Sequence, residues 1–431
     1  MRISRNVFAL FVISVLFGAS GMLFAGGAKE SAASGSTAAA PNLVLMHDKG
    51  GNPNYQPFFE AMGKYAKEKI GVGFTASPYP TTDVYQAAVR AALPTKQAPD
   101  LFTWWSTYRM KPLIDEGLLA DTTALWDKHK EEYSQGLRDA FTFDGKVYGF
   151  ADVVEYWGVW YNKEVFAKYN LSVPKTWNEF LSVCATLKKN GVTPLEETVQ
   201  GRWPTFIMFE QLIAGESPDL YVDLCTGKAN YTDPRVKKAF QVWADMIAKG
   251  YFADPSTDLF SDAPRLFNEG KIAMIPCGSW YYSTLTTNGV APEKAGIFVM
   301  PPENPAAGKF AILEASPILI SRNSPHPQDA LKVADFWMGP DGNGYCAKLL
   351  GGYPANTKAD TSYLPKSKVD FKNMLIDDHY RILNRYWEAT PTPICEQAVD
   401  KFAEFILHPS SVDKVLSDLD KIASDYWSSH K

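Results

Sequence analysis

Basic residues are in deficit. Lys and Arg number 43 against 48 Asp and Glu, a formal charge of −5, and this balance gives no ground for a nucleic-acid partner. Histidine is scarce as well: six residues, at 47, 129, 326, 379, 408 and 430, form neither an HExxH motif nor a zinc spacing. The five cysteines, at 184, 225, 277, 346 and 395, contain no CxxC. Their odd count leaves at least one unpaired, although a disulfide is compatible with an oxidising compartment. There is no GxSxG and no phosphate-binding loop. The acidic run DPSTDLFSD (254–262) begins like a calcium loop but carries Leu259 where Gly is needed and Arg265 in place of the bidentate Glu, so it reads as a helix start. No metal, no cofactor and no catalytic motif is expected, and no internal repeat is visible.

The chain instead has length and aromatic surface. Its 431 residues, 46% hydrophobic and 13% aromatic, suffice for a large core divided over more than one domain. The 12 Trp and 21 Tyr suit surfaces that are apolar on one side and wet on the other. Arg2 and Arg5, the apolar run Val7–Phe17 and the small residues of GASGMLFA read as a secretory leader, 1–25, cleaved after Ala25. Leu23 is an unusual residue three positions before that cut, and an uncleaved N-terminal anchor is the alternative. No cysteine lies nearby to be lipidated. Residues 26–41, GGAKESAASGSTAAAP, read as a flexible linker. Removing 1–25 takes away two Arg and no acid, giving 41 − 48 = −7.

From Asn42 the pattern alternates. A strand Leu43–Met46 leads through HDKGGNPN (47–54) into a helix Tyr55–Lys69; a strand Val72–Thr75 precedes a helix Asp83–Leu93; Asp100–Thr103 is a third strand. Such alternation predicts a mainly parallel α/β sheet covered by helices. Thr176 and Glu179 form a capping box for a helix ending at Gly191, and Asp233-Pro234 start another, whose Val236, Phe240, Trp243 and Ile247 keep helical spacing. Cys184, Trp177 and Trp243 fit core positions on these helices. KIAMIP (271–276) and Ile312–Ser321 are further strands, and the chain from about 327 reads as mostly helical. In open parallel sheets ligands bind along the edge formed by loops leaving the strands' carboxyl ends. Those loops are 47–54, 77–82, 104–109, 152–157 and 277–282.

The stretches DLFTWW…LIDEGLLADTT, DGKVYGFADVVEYWGVWYNKEVF, PKTWNEF, LFNEGKIAMIPCGSW and GGYPANTKA, in that order, resemble the carbohydrate-binding proteins of ABC importers, the family-1 or maltose-type extracellular solute-binding proteins. The likeness covers about residues 42–360. It implies a two-lobed α/β periplasmic-binding-protein fold of type II character, with hinge strands between the lobes and a sugar held in the cleft. The implied division is a first lobe of 42–154 with about 302–345 and a second of 155–301 with about 346–431. It also implies an exported, monomeric protein, periplasmic or extracellular, whose partners are a sugar or oligosaccharide and a membrane permease.

Carried over motif by motif, Trp280 of GSW falls at the family's stacking aromatic and Trp104 and Trp105 follow its third strand. Glu155 falls where a carboxylate accepts sugar hydroxyls, with Tyr156 and Trp157 beside it at the cleft floor. Asp48 and Asn54 are the usable side chains of the first loop, and Tyr353 lies in the loop returning to the cleft. FAILEASPI (310–318) departs from the Gly-Gly pair of many relatives, and Glu314 there is either a contact or a polar edge. A sugar suits such residues because its ring face packs on indole while its rim needs donors and acceptors.

Other readings of these residues stand beside it. A Trp is more often core than platform, and Trp203 fits either role. Tyr156 and Trp157 also suit simple packing of the hinge, and Glu155 a hinge ion pair. The rival functions are a glycoside-cleaving enzyme, which needs two carboxylates flanking one bond, a receptor for a polyol or polyamine, and one that reports chiefly to a chemoreceptor.

Overall fold

The protein is described here by a computed structural model, which describes residues 42–51 and 56–430. The expected leader and linker, and Asn54 among the candidate contacts, lie outside the described residues.

Ten strands form one curled, mixed sheet: β1 (Asn42–His47), β2 (Gly73–Pro78), β3 (Leu101–Thr103), β4 (Phe150–Asn162), β5 (Thr193–Leu195), β6 (Ile272–Gly278), β7 (Ala295–Phe298), β8 (Phe310–Ile320), β9 (Tyr353–Pro354) and β10 (Arg381–Asn384). The main path runs β2-β1-β3-β8-β4-β6-β5. Pairing is parallel at the two ends, β2-β1-β3 and β6-β5. It is antiparallel through the middle, where β8 pairs with β3 and β4, and β4 with β6 and β7. The mainly parallel sheet expected from the alternation therefore holds only away from the centre. A chain that crosses between two α/β layers and returns must pair with itself in opposite directions where it crosses.

The core of GKVYGFADVVEYWGVWYNKEVF is the single 13-residue strand β4. Ten of the 13 residues of β4 are buried and none is exposed, because both its faces are covered. Its first half pairs with β8 and β9 and its second half with β6 and β7, so it belongs to both layers. The register between β4 and β8 shifts between Ala315 and Pro317, where Val154 and Ala151 are the partners. Asp152 and Val153 thus stand opposite Ser316 alone, a bulge of the kind that re-aims side chains beside a site.

The helices start where the sequence puts them. Thr176 and Glu179 make both bonds of the capping box ahead of helix Trp177–Lys189, and Asp233 accepts from Arg235 N–H ahead of Pro234–Ala248. Trp177, Cys184 and Trp243 are core residues. All five cysteines are buried and unpaired. The C-terminal part is helical apart from β9 and β10, two strands the pattern did not announce. Helix Pro340–Leu350 packs on helix Gln56–Ile70, with Tyr345 stacked on Tyr65 at 3.8 Å, whereas Phe371 and Leu375 of helix Lys366–Asp377 pack with Ile297 in the other layer. Among the described residues, no helix is long and apolar enough to cross a membrane.

Beside this core, Glu197 accepts a hydrogen bond from Trp243 Nε1 at 2.7 Å, and burial pushes its carboxyl up to about 8 from 4.5. The folded protein then keeps a proton that the unfolded chain releases, so stability falls as pH rises from about 4.5 towards 8. Glu197→Gln cannot ionise and is expected to flatten that fall, as urea unfolding at pH 5 and 8 will show. Equal losses in parent and variant would exclude Glu197 as the source.

Candidate ligand-binding site

The curl of the sheet encloses a cavity of about 670 Å³, within the ~300–1,000 Å³ range of small-molecule sites. All five loops and turns singled out in the sequence reach it: Asp48 and Lys49 after β1, Thr81 after β2, Trp104 and Trp105 after β3, Asp152 and Glu155 on β4, and Trp280 after β6. Six of the ten candidate residues line it: Asp48, Trp104, Trp105, Glu155, Trp280 and Glu314. Tyr156, Trp157 and Tyr353 do not. Trp157 is buried behind the wall, and Tyr353 packs against Tyr156 with ring centroids 5.7 Å apart, supporting β4 from behind.

Trp280 anchors one wall. Its ring lies stacked with Phe260, centroids 6.1 Å apart, and 6.3 Å from Trp203. A Cβ on Gly278 would come 2.4 Å from Trp280 Nε1, which is why the GSW motif needs its glycine. The indole N–H donates to Glu314 Oε2 at 3.0 Å, and Trp157 Nε1 donates to the same oxygen at 3.2 Å. Arg385 Nη1 joins them at 2.8 Å and the rest of its guanidinium clasps Glu388. Burial pulls the Arg385 pKa down, but the two carboxylates outweigh it and hold the group above its ordinary value. Glu314 is therefore both a wall residue and the anchor of two indoles.

Glu155 and Glu314 are direct cross-strand partners. Two like charges so placed repel, and each has its own cation: Arg385 for Glu314, and Lys368 for Glu155 at 3.3 Å. The Lys368 side chain is 0% exposed and that of Glu155 5%. Burial raises the Glu155 pKa, against the opposing effects of Lys368 and of the Ser279 hydroxyl, which donates to the same oxygen that Lys368 contacts. Lys368 is correspondingly lowered by burial. A Cβ on Gly352 would sit 2.6 Å from Glu155 Oε1, so the GGYPA glycine makes room for the carboxylate.

Across the cavity, Asp48 accepts from Thr103 Oγ1 at 3.1 Å and pairs with Lys49 at 3.2 Å. Trp105 and Trp387 meet edge to face and both contact the buried Arg109, whose Cζ is 5.3 and 3.7 Å from their ring centroids. Arg109 in turn pairs with Glu396 at 2.7 Å. The lining residues absent from the candidate set are chiefly Lys49, Asp152, Phe206, Arg385 and Trp387. Lys49 adjoins Asp48, and Asp152 lies in the 152–157 loop that the sequence marked. Arg385 and Trp387 follow β10, a strand with no periodic signal, and nothing local marks them. Among the described residues there is no group of three or more His, Cys, Asp or Glu able to hold a metal ion.

The family model of bacterial extracellular solute-binding proteins matches residues 60–373. The chain belongs to that family. An uncharacterized ABC transporter extracellular-binding protein of Pyrococcus horikoshii is 30% identical over 212 residues, 48% of each chain, so the match spans about half the length of that relative. The diacetylchitobiose-binding protein DasA of Streptomyces coelicolor is 24% identical over 293 residues, 67% of each chain. Among solved structures, a chitin oligosaccharide binding protein superposes with a TM-score of 0.80 at 20% identity, covering 90% of this chain and 100% of its own. These likenesses give the fold as the two-lobed one of solute-binding proteins.

Proposed function

We propose that the cavity captures an uncharged saccharide, of one ring or a few, and that the protein delivers it to the permease of an ABC importer. The observation that carries this is the composition of the wall. Indole and phenyl rings from Trp105, Trp203, Phe206, Phe260, Trp280 and Trp387 alternate with carboxylates held in fixed orientation. Such a wall matches a ring with apolar faces and a rim of hydroxyls. The names of DasA and of the chitin oligosaccharide binder point the same way.

A hydrolytic reading is less well supported. Glu155 and Glu314 are neighbours on one wall, each tied to its own cation, whereas glycoside cleavage needs carboxyl groups on opposite sides of the bond. A polyamine receptor would need several unpaired acids, and most of the acids here already have partners. The lobe boundary that supports closure best runs through β4 near Val154 and through β8 near Ala315. It crosses again near 365 rather than near 345, since helix Pro340–Leu350 packs with the first layer. Export to the periplasm or cell exterior after removal of 1–25, and action as a monomer, complete the proposal.

A thermal-shift screen over neutral mono- and oligosaccharides tests it, since a ligand of the native state raises stability by RT ln(1 + [L]/Kd). No shift with any sugar would end the reading, and appearance of cleaved product on long incubation would replace it with hydrolysis. Trp280→Ala is expected to weaken the sugar that binds by about 1–3 kcal/mol, measured by calorimetry, with helical content unchanged. Affinity within twofold of the parent would make Trp280 a rim residue.

A further inference from the structure

Five acidic side chains line the cavity, and four are already engaged. Asp48 is held by Thr103 and Lys49, Glu155 by Ser279 and Lys368, and Glu314 by Arg385 and two indoles. Asp258 accepts from Ser261 Oγ and from the N–H groups of Phe260 and Ser261. Asp152 differs. It is 7% exposed, and among the described residues no side chain donates to its carboxylate, which accepts the adjacent Val153 N–H through Oδ1 at 2.6 Å. The bulge against Ser316 turns it to the cavity, and Asn343 fixes its backbone by donating to Asp152 O at 2.9 Å. Both lining cations are meanwhile committed to carboxylates, Lys49 to Asp48 and Arg385 to Glu314 and Glu388.

We propose that Asp152 is the specificity-determining residue of this cavity: its carboxylate accepts a hydroxyl of the bound saccharide and turns away sugars that carry a carboxylate of their own. The proposal rests on the saccharide reading above. A buried carboxylate with a spare oxygen is a strong acceptor for a hydroxyl, and leaving it unmatched costs more than the bond itself contributes. An anionic ligand would meet lining charges of five acids against two bases with no unengaged cation to receive it, which is discrimination by repulsion. The charged and titratable groups around Asp152 are Lys49 from the loop after β1, Glu155 on β4, Glu314 on β8 and Cys346 from helix Pro340–Leu350. Burial places the Asp152 carboxyl at about 7, so its acceptor strength changes across the neutral range.

The test is calorimetry on the full chain at pH 6 and pH 8. Diacetylchitobiose, maltotriose, raffinose and galactose serve as neutral probes and digalacturonate as the anionic one. The parent is expected to bind at least one neutral probe, roughly tenfold more tightly at pH 8 than at pH 6 because the ionised carboxylate is the stronger acceptor, and to ignore digalacturonate. Asp152→Asn keeps the shape and the Val153 contact. It should lose roughly tenfold in affinity at pH 8, show the same affinity at both pH values, and gain measurable binding of digalacturonate. Asp152→Ser and the unliganded melting temperatures control for misfolding. If a neutral probe binds and Asp152→Asn keeps the parent's affinity and pH profile, or if the parent binds digalacturonate as well as the neutral sugar, the role of Asp152 is refuted while the saccharide reading survives. If no neutral probe binds, both fall.

Discussion

Replacing Arg385 by Met is expected to lower the unfolding free energy by about 3–5 kcal/mol, the cost of breaking a buried ion pair from one side. Arg385 is the only cation bonded to Glu314 and to Glu388 among the described residues, and its side chain is 6% exposed. Its loss strands two carboxylates in low dielectric, with the carboxyl of Glu210, already far above the usual carboxylate range through burial, close by. Methionine fills much of the volume, so the loss reports charge and hydrogen bonding more than a void. Urea unfolding measures the effect. Recovery at low pH, where the stranded acids take up protons, would identify its origin, because the variant then no longer buries charge. A loss of ~0.5 kcal/mol, the scale of an ordinary surface substitution, would show that the cluster adds nothing net. Sugar affinity should fall as well, since Glu314 also receives the Trp280 indole.

The second large effect concerns the pair beneath the cavity floor. Among the described residues, Lys368→Met leaves Glu155 with only the Ser279 hydroxyl, and Glu155→Gln leaves Lys368 with the Gly351 carbonyl at 2.7 Å and the Tyr353 ring. Each single change is expected to destabilise the unliganded protein by about 3–5 kcal/mol, and the double change by clearly less than the sum, because replacing both partners removes the desolvation cost along with the attraction. For Lys368→Met the sign with pH follows from the raised Glu155 pKa. The variant is least impaired where Glu155 is protonated and loses stability as pH rises through its folded pKa. A residue that served only to receive sugar would show the reverse pattern, with affinity lost and unliganded stability kept. Melting and calorimetry on the same three variants separate the two roles, and additive losses would mean the pair is not coupled.

Much of the fold was legible because its signals are local. The capping box of Thr176 and Glu179, the Asp233-Pro234 start and the buried run ending at Gly278 are each decided within a few residues by hydrogen-bond geometry and hydrophobic period. The order of strands, loops and motifs in turn marked the five places from which the cavity is lined. Tertiary structure alone decided which of those residues are at liberty to meet a ligand. Glu155 stands 213 residues from Lys368, and Glu314 meets an arginine that follows a strand without any apolar alternation. No spacing rule links charges so far apart, since a salt bridge fixes a distance in space and leaves the intervening chain unconstrained. The same holds for Asp152. Its type and position are plain in the sequence, but its place at a register shift between two strands, with a backbone N–H and no side-chain donor among the described residues on its carboxylate, is a fact of the tertiary structure.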